Sequence, residues 1–145
     1  MKIVRVGRMA FWQRWTTHVV LLVCAITGVG YFVGQELLDL QPSANRYWWI
    51  AHGATGFVAI LVIGGAITQH VVVAWRARRG RSTGTFNLVL LSSLVVTTMI
   101  LFYGLEPWRA PAHWVHIGAG LLAIIAFPAH VLWGRTRKAR LKSFR

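Results

Sequence analysis

Apolar residues along this chain fall into four long blocks, at roughly 11–33, 47–75, 87–104 and 112–134, parted by short polar stretches that hold nearly all the charge. Each block meets or approaches the roughly 20 residues that an α-helix needs to cross a hydrocarbon core. The third is the shortest and most polar, with Ser92, Ser93, Thr97 and Thr98, yet it carries no charged residue. The first is too long for the apolar core of a signal peptide and lacks a convincing small-residue cleavage site, so it reads as a span. The pattern predicts four membrane-spanning helices within one membrane domain over residues 1–145.

Composition supports this class. Hydrophobic residues make up 56% of the chain and charged residues 13%, and the mean hydropathy is +0.54. A net charge of +13 raises nucleic acid as a partner until the charges are located. Lys2, Arg5, Arg8 and Arg14 precede or open the first span; Arg76, Arg78, Arg79 and Arg81 lie between the second and third; Arg135, Arg137, Lys138, Arg140, Lys142 and Arg145 follow the fourth. Fourteen of the sixteen basic residues thus share one side, while all three acids (Glu36, Asp39, Glu106) share the other with Arg46 and Arg109. The positive-inside rule then predicts an all-α integral membrane protein, a four-helix up-down bundle with both termini cytoplasmic. Basic clusters beside the membrane attract anionic lipid head groups, which accounts for the charge without nucleic acid. The tryptophans agree: Trp12, Trp15, Trp75 and Trp133 sit at inner span ends, and Trp48, Trp49, Trp108 and Trp114 at outer ends, as interfacial anchors do.

Several chemistries find no residues to carry them. Cys24 is the sole cysteine, so there is no disulfide, zinc knuckle or CxxCH for covalent haem attachment, and it reads as a small buried apolar residue. No glycine-rich nucleotide loop, Ser/His/Asp set or carboxylate pair is present. The outer loops are too short to form a soluble domain. Substrate chemistry is therefore expected in a partner, or in a small molecule dissolved in the membrane.

Against this background the six histidines stand out, because an ionisable group inside a bilayer is costly and by default marks a function. His18 lies four residues after Arg14, His70 six before Arg76 and His130 five before Arg135, which places these three toward the cytoplasmic side. His52 lies six residues after Arg46, and His113 and His116 four and seven after Arg109, which places these toward the periplasmic side. Two depths, each with candidate ligands from different helices, suit two stacked b-type haems. His116 and His130 are fourteen residues apart, within roughly 40° of a whole number of turns and about 21 Å along the axis. His52 and His70 are eighteen residues apart, about five full turns, so they also share a face. His113, one turn nearer the water, reads as a rim residue. Gly53, Gly56, Gly118 and Gly120 flank the ligand turns, where small residues let helices or a flat macrocycle approach. The inner haem needs one partner besides His130, either His18 or His70; if His18 takes that role, His70 could bond a haem propionate or a quinone oxygen.

The chain resembles the four-helix cytochrome b561-like group, which includes the cytochrome b subunits of respiratory formate dehydrogenase and nickel–iron hydrogenase. The matching segments are Arg14-Trp15-Thr16-Thr17-His18 leading to Thr27-Gly28, Ala51-His52-Gly53-Ala54-Thr55-Gly56, and His116-Ile117-Gly118-Ala119-Gly120 through Ala129-His130 to Trp133-Gly134. They cover three of the four spans, and the fourteen-residue histidine spacing is the most specific of them. The resemblance implies two non-covalent haem b groups, an inner one on His18 and His130 and an outer one on His52 and His116. The chain departs from those subunits in its compact loops and in the additional His70.

A six-coordinate haem held by two imidazoles carries electrons and has no open position for oxygen. The leading expectation is a di-haem electron-transfer subunit of a bacterial inner-membrane respiratory chain, linking the quinone pool to a periplasmic redox protein. Gln69, His70, Arg14 and Arg76 are the candidate quinone contacts. The alternative is a stand-alone b561-type quinone-linked oxidoreductase of superoxide or another small reductant, with Arg46 and Arg109 steering an anion. A haem-free scaffold subunit is the third expectation.

Overall fold

The computed structural model describes residues 9–78 and 80–143. Lys2, Arg5, Arg8, Arg79 and Arg145 of the charge argument lie outside the described residues, as do the side chains of Arg135, Arg137, Lys138, Arg140 and Lys142. All secondary structure in the described residues is helical: α1 (Phe11–Phe32) with a π-helical turn (Val33–Leu37), α2 (Pro42–Ala66), a second π turn (Ile67–Val71), α3 (Val72–Arg76), α4 (Arg81–Tyr103) and α5 (Glu106–Ser143). Four stretches are long and apolar enough to cross a membrane: Phe11–Leu37, Pro42–Arg76, Arg81–Tyr103 and Glu106–Gly134.

Three of the spans begin before their apolar blocks because local chemistry, not hydrophobicity, sets their ends. α2 starts at Pro42, where the missing N–H costs nothing and the fixed φ suits the first helical position. It therefore takes in the polar Ser43, Asn45 and Arg46. α4 starts at Arg81, after Gly80 adopts a left-handed φ of 59° that glycine tolerates best. α5 starts at Glu106, whose carboxylate suits the positive end of the helix dipole.

The chain forms two compact units, Met1–Ala77 and Arg78–Arg145. In the first, α1 packs antiparallel on α2: Tyr31 near the end of α1 accepts from Asn45 Nδ2 near the start of α2 at 3.2 Å, and Thr27 meets Thr55 at 3.3 Å between their hydroxyls. The helices approach closely where α1 presents glycine. A Cβ on Gly30 would lie 2.5 Å from the Trp48 ring, and one on Gly34 would lie 2.5 Å from Asn45 Oδ1. In the second unit α4 packs antiparallel on α5, tied by Asn87 Nδ2 donating to Ala126 O at 3.3 Å.

Apart from Leu90, the buried residues named in both units are small or polar: Gln13, Thr17, Thr27, Asn45 and Ala59 in the first, Asn87, Thr97, Ala112 and Ala119 in the second. Large apolar side chains point outward, Leu61 at 76% exposure and Ile125 at 71%. This inversion is expected where lipid is the solvent. Burying leucine against leucine gains little there, so close backbone approach and interhelical hydrogen bonds hold the helices together. Hydroxyls must be satisfied without water, and Thr17, Thr27, Thr55, Thr97 and Thr98 each donate to a carbonyl one turn back, at 2.7–2.8 Å. All eight tryptophans are exposed, from 42% at Trp48 to 69% at Trp12.

Two sequence expectations take a different form here. Gly53, Gly56 and Gly118 have open space where a Cβ would go, and Gly120 makes only ordinary contact with Leu94. Close helix approach instead falls on Gly28, Gly30 and Gly34. The π turn Ile67–Val71, which contains His70, interrupts the helix that begins at Pro42. Such a turn spreads roughly one extra residue over its length, so His70 is carried off the face of His52.

Candidate functional site

All six histidines are half-buried. In four of them, the Nδ1 nitrogen meets an oxygen of a helix, a backbone carbonyl at two and a threonine hydroxyl at two. His52, on α2, has Nδ1 3.1 Å from the carbonyl oxygen of Cys24 on α1. A carbonyl only accepts, so Nδ1 carries the hydrogen. The sulfur of Cys24 lies 3.8 Å from the same nitrogen. Gly28, one turn further along α1, makes room for the ring: a Cβ there would be 2.8 Å from His52 Cε1 and 3.0 Å from Nδ1.

His18 reaches the same state within its own helix, where Nδ1 lies 2.5 Å from the carbonyl of Arg14 one turn earlier. His116 and His130 reach it through threonines of α4. His116 Nδ1 is 2.8 Å from Thr97 Oγ1. That hydroxyl gives its proton to Ser93 O at 2.7 Å, with Leu94 O at 3.1 Å, so it accepts from the imidazole. His130 Nδ1 is 3.0 Å from Thr83 Oγ1, which donates to Gly80 O at 3.4 Å.

His18 and His52, which face carbonyls, thus carry the hydrogen on Nδ1, and His116 and His130 do the same where Thr97 and Thr83 give their own protons to carbonyls; the lone pair is then on Nε2. The two nitrogens lie on different edges of the ring, so fixing Nδ1 against a helix turns Nε2 away from that acceptor. Metal-ligating histidines are prepared this way, the second nitrogen's hydrogen bond setting both tautomer and orientation. The four residues are His18, His52, His116 and His130, and their donor chemistry fits haem iron. Each imidazole is held within its own unit.

The remaining histidines sit differently. His70 lies in the π turn, next to the exposed Gln69 and six residues before the exposed Arg76. His113 packs edge-on against Trp114, ring centroids 5.5 Å apart, as suits the rim. Near the start of α1, Gln13 is 7% exposed, its Oε1 has no hydrogen-bond partner, and its Nε2 lies 3.8 Å from where a Gly65 Cβ would be. Arg14 stands over the Phe11 ring at 5.6 Å.

The two arginines expected to attract an anion have different surroundings. Arg109 pairs with Glu106 at 2.9 Å, both side chains substantially exposed. Arg46 lines a cavity of about 190 Å³ with Tyr31, Gln35, Pro42, Asn45 and Trp49.

Sequence reasoning did not single out Gln13 or Thr83, and it saw Thr97 only as a polar residue within a span. A usable signal existed for the threonines: Thr83 and Thr97 are fourteen residues apart, the spacing of His116 and His130. No family model, curated protein or solved structure matches this chain.

Proposed function

We propose that this chain is a di-haem b-type electron-transfer protein of a bacterial inner membrane, passing electrons between the quinone pool and a periplasmic redox partner. The observation that carries the reading is that His18, His52, His116 and His130 each set Nδ1 against an oxygen of a helix. One structural histidine in a span commonly bonds a neighbouring helix through whichever nitrogen is convenient. Four that all anchor through Nδ1 share the orientation that iron-ligating histidines take. His18 and His130 would hold an inner haem b, and His52 and His116 an outer one, in a four-helix up-down bundle with cytoplasmic termini. When bound between two imidazoles, haem b supplies one-electron transfer with no open coordination position.

The chain's own residues supply position and environment. Cys24 O and Gly28 fix and admit the His52 ring. The Arg14 carbonyl holds His18, and Thr97 and Thr83 hold the ligands on α5. Gln69, His70 and Arg76, with Gln13 and Arg14 nearby in sequence or space, are the polar residues offered to a quinone head group at the inner end.

The experiment is a dithionite-reduced minus oxidised visible spectrum of purified protein, with haem extracted and counted against protein. The expected result is a low-spin b-type α-band with two haems per chain. His52→Ala and His116→Ala each lose one haem, and the same spectral component; His18→Ala and His130→Ala lose the other. Protein from haem-replete cells that contains no haem would overturn the proposal and favour a scaffold role. The cavity beside Arg46 favours one second reading, a stand-alone oxidoreductase taking electrons from a small anionic reductant. Turnover by the purified chain alone, with quinone and a soluble donor, would establish it.

A further inference from the structure

The second unit contains a doubled spacing. Thr83 and Thr97 stand fourteen residues apart on α4, and His116 and His130 stand fourteen apart on α5. Because the helices are antiparallel, Thr97 meets His116 and Thr83 meets His130. Asn87 meets the Ala126 carbonyl in the same register: each step along α4 from Thr83 is matched by an equal step back along α5 from His130. Two heptads return each helix to nearly the same face, so one interhelical arrangement is used twice, about 21 Å apart along the axis.

A threonine in a membrane helix ordinarily needs no explanation beyond its bond to a carbonyl one turn back. Thr98 is such a residue, donating to Leu94 O at 2.8 Å. Thr97 differs in being buried and in receiving a second hydrogen bond from an imidazole. We propose that Thr97 and Thr83 are positioning residues for haem ligation: each hydroxyl oxygen accepts the Nδ1 proton of its histidine, sets the ring plane, and strengthens donation from Nε2 to iron. This rests on the di-haem reading above.

The direction of the effect follows from electrostatics. Drawing the Nδ1 proton toward an acceptor leaves more electron density on Nε2. A more basic ligand stabilises ferric over ferrous iron and lowers the reduction potential. The two threonines are unequal. Thr97 gives its own proton to a carbonyl at 2.7 Å, whereas Thr83 donates at 3.4 Å. A hydroxyl that donates strongly is polarised and accepts more strongly, and the imidazole contact is correspondingly shorter at Thr97, 2.8 Å against 3.0 Å. The haem on His116 should therefore depend on its threonine more than the haem on His130 does.

The test compares the full-length parent protein with Thr97→Val, Thr97→Ser and Thr83→Val. Haem per chain, potentiometric titration of the α-band, and low-spin ferric EPR signals are measured on each. Valine keeps the shape and removes the acceptor; serine keeps the acceptor. The expected result is that Thr97→Val raises the midpoint potential and moves the EPR g-values of one haem only, or loses that haem. Thr97→Ser restores the parent behaviour, and Thr83→Val moves the other haem by less. Parent-like potentials and g-values in Thr97→Val would overturn the inference while leaving the di-haem reading intact. So would the same change in Thr97→Ser as in Thr97→Val, because packing rather than the hydroxyl would then be responsible. A parent protein without haem overturns the underlying reading first, and is seen before any variant is made.

Discussion

If the chain holds two haems as proposed, adding a single methyl group at Gly28 should remove one of them. The Cβ of Gly28→Ala would stand 2.8 Å from His52 Cε1 and 3.0 Å from Nδ1, so the imidazole must retreat by about 0.6 Å to reach the 3.4 Å edge of ordinary contact. Ligand constellations tolerate displacements of only about 0.5 Å before function suffers. The ring cannot retreat without lengthening its 3.1 Å bond to Cys24 O, which fixes its tautomer. Overpacking at a tight contact costs about 1–3 kcal/mol, whereas replacing a helical glycine by alanine regains up to about 1 kcal/mol of helix propensity. The helix itself should therefore survive, and the damage should concentrate on the imidazole. Gly64→Ala, where a Cβ meets nothing within 4 Å, is the control on the same kind of helix. The assay is haem per chain with the reduced-minus-oxidised spectrum. Gly28→Ala is expected to retain one haem, losing the component that His52→Ala also loses, and Gly64→Ala to retain both. Two haems and an unchanged spectrum in Gly28→Ala would refute the claim that this approach seats the ligand.

Three other outcomes are expected. Gly30→Leu drives a side chain into the Trp48 ring, 2.5 Å from the Cβ position, and should destabilise the first unit by about 1–3 kcal/mol; an unaltered thermal midpoint in detergent would show that α1 and α2 do not depend on this contact. Asn87→Leu removes the amide bonds to Thr83 O at 2.9 Å and Ala126 O at 3.3 Å. It should cost about 0.6–1.7 kcal/mol, the range for interhelical bonds in membrane proteins, read from the midpoint of SDS-driven unfolding; a midpoint at the parent value would show that the amide contributes nothing to α4–α5 packing. His70→Phe should keep both haems and slow their reduction by a short-chain quinol at least tenfold, and unchanged kinetics would remove His70 from the quinone site.

Much of the fold was legible because a membrane simplifies the code. A helix must satisfy its backbone internally, and runs of about 20 apolar residues reveal that almost irrespective of detail. The ends were less legible. Pro42 and Gly80 set helix starts through backbone geometry, which an apolar block does not report. The π turn at Ile67–Val71 was hidden for a related reason. Counting residues at a constant 100° assumes an unbroken helix, so placing His70 with His52 could not anticipate a local change of pitch.

The glycines show where periodicity stops informing. Those beside His52 and His116 drew notice by proximity in sequence, yet Gly53 and Gly118 face open space. Gly28 and Gly30 matter because of what arrives opposite them from α2, and only the antiparallel register decides that. The threonines were a missed opportunity rather than a hidden fact. Histidine drew attention because an imidazole in lipid demands an explanation, whereas threonine is ordinary there and satisfies itself against its own helix. An imidazole that ligates through Nε2 must still place the Nδ1 hydrogen, and without water it needs an acceptor from a helix. On the proposed ligation, His116 and His130, fourteen residues apart on one helix, therefore call for two acceptors at matching spacing, on that helix or its neighbour. His18 takes the first option with the Arg14 carbonyl; His116 and His130 take the second with Thr97 and Thr83. For a membrane histidine, the informative sequence question is which oxygen receives its other proton, and in α4 the polar residues of the least apolar span supply it.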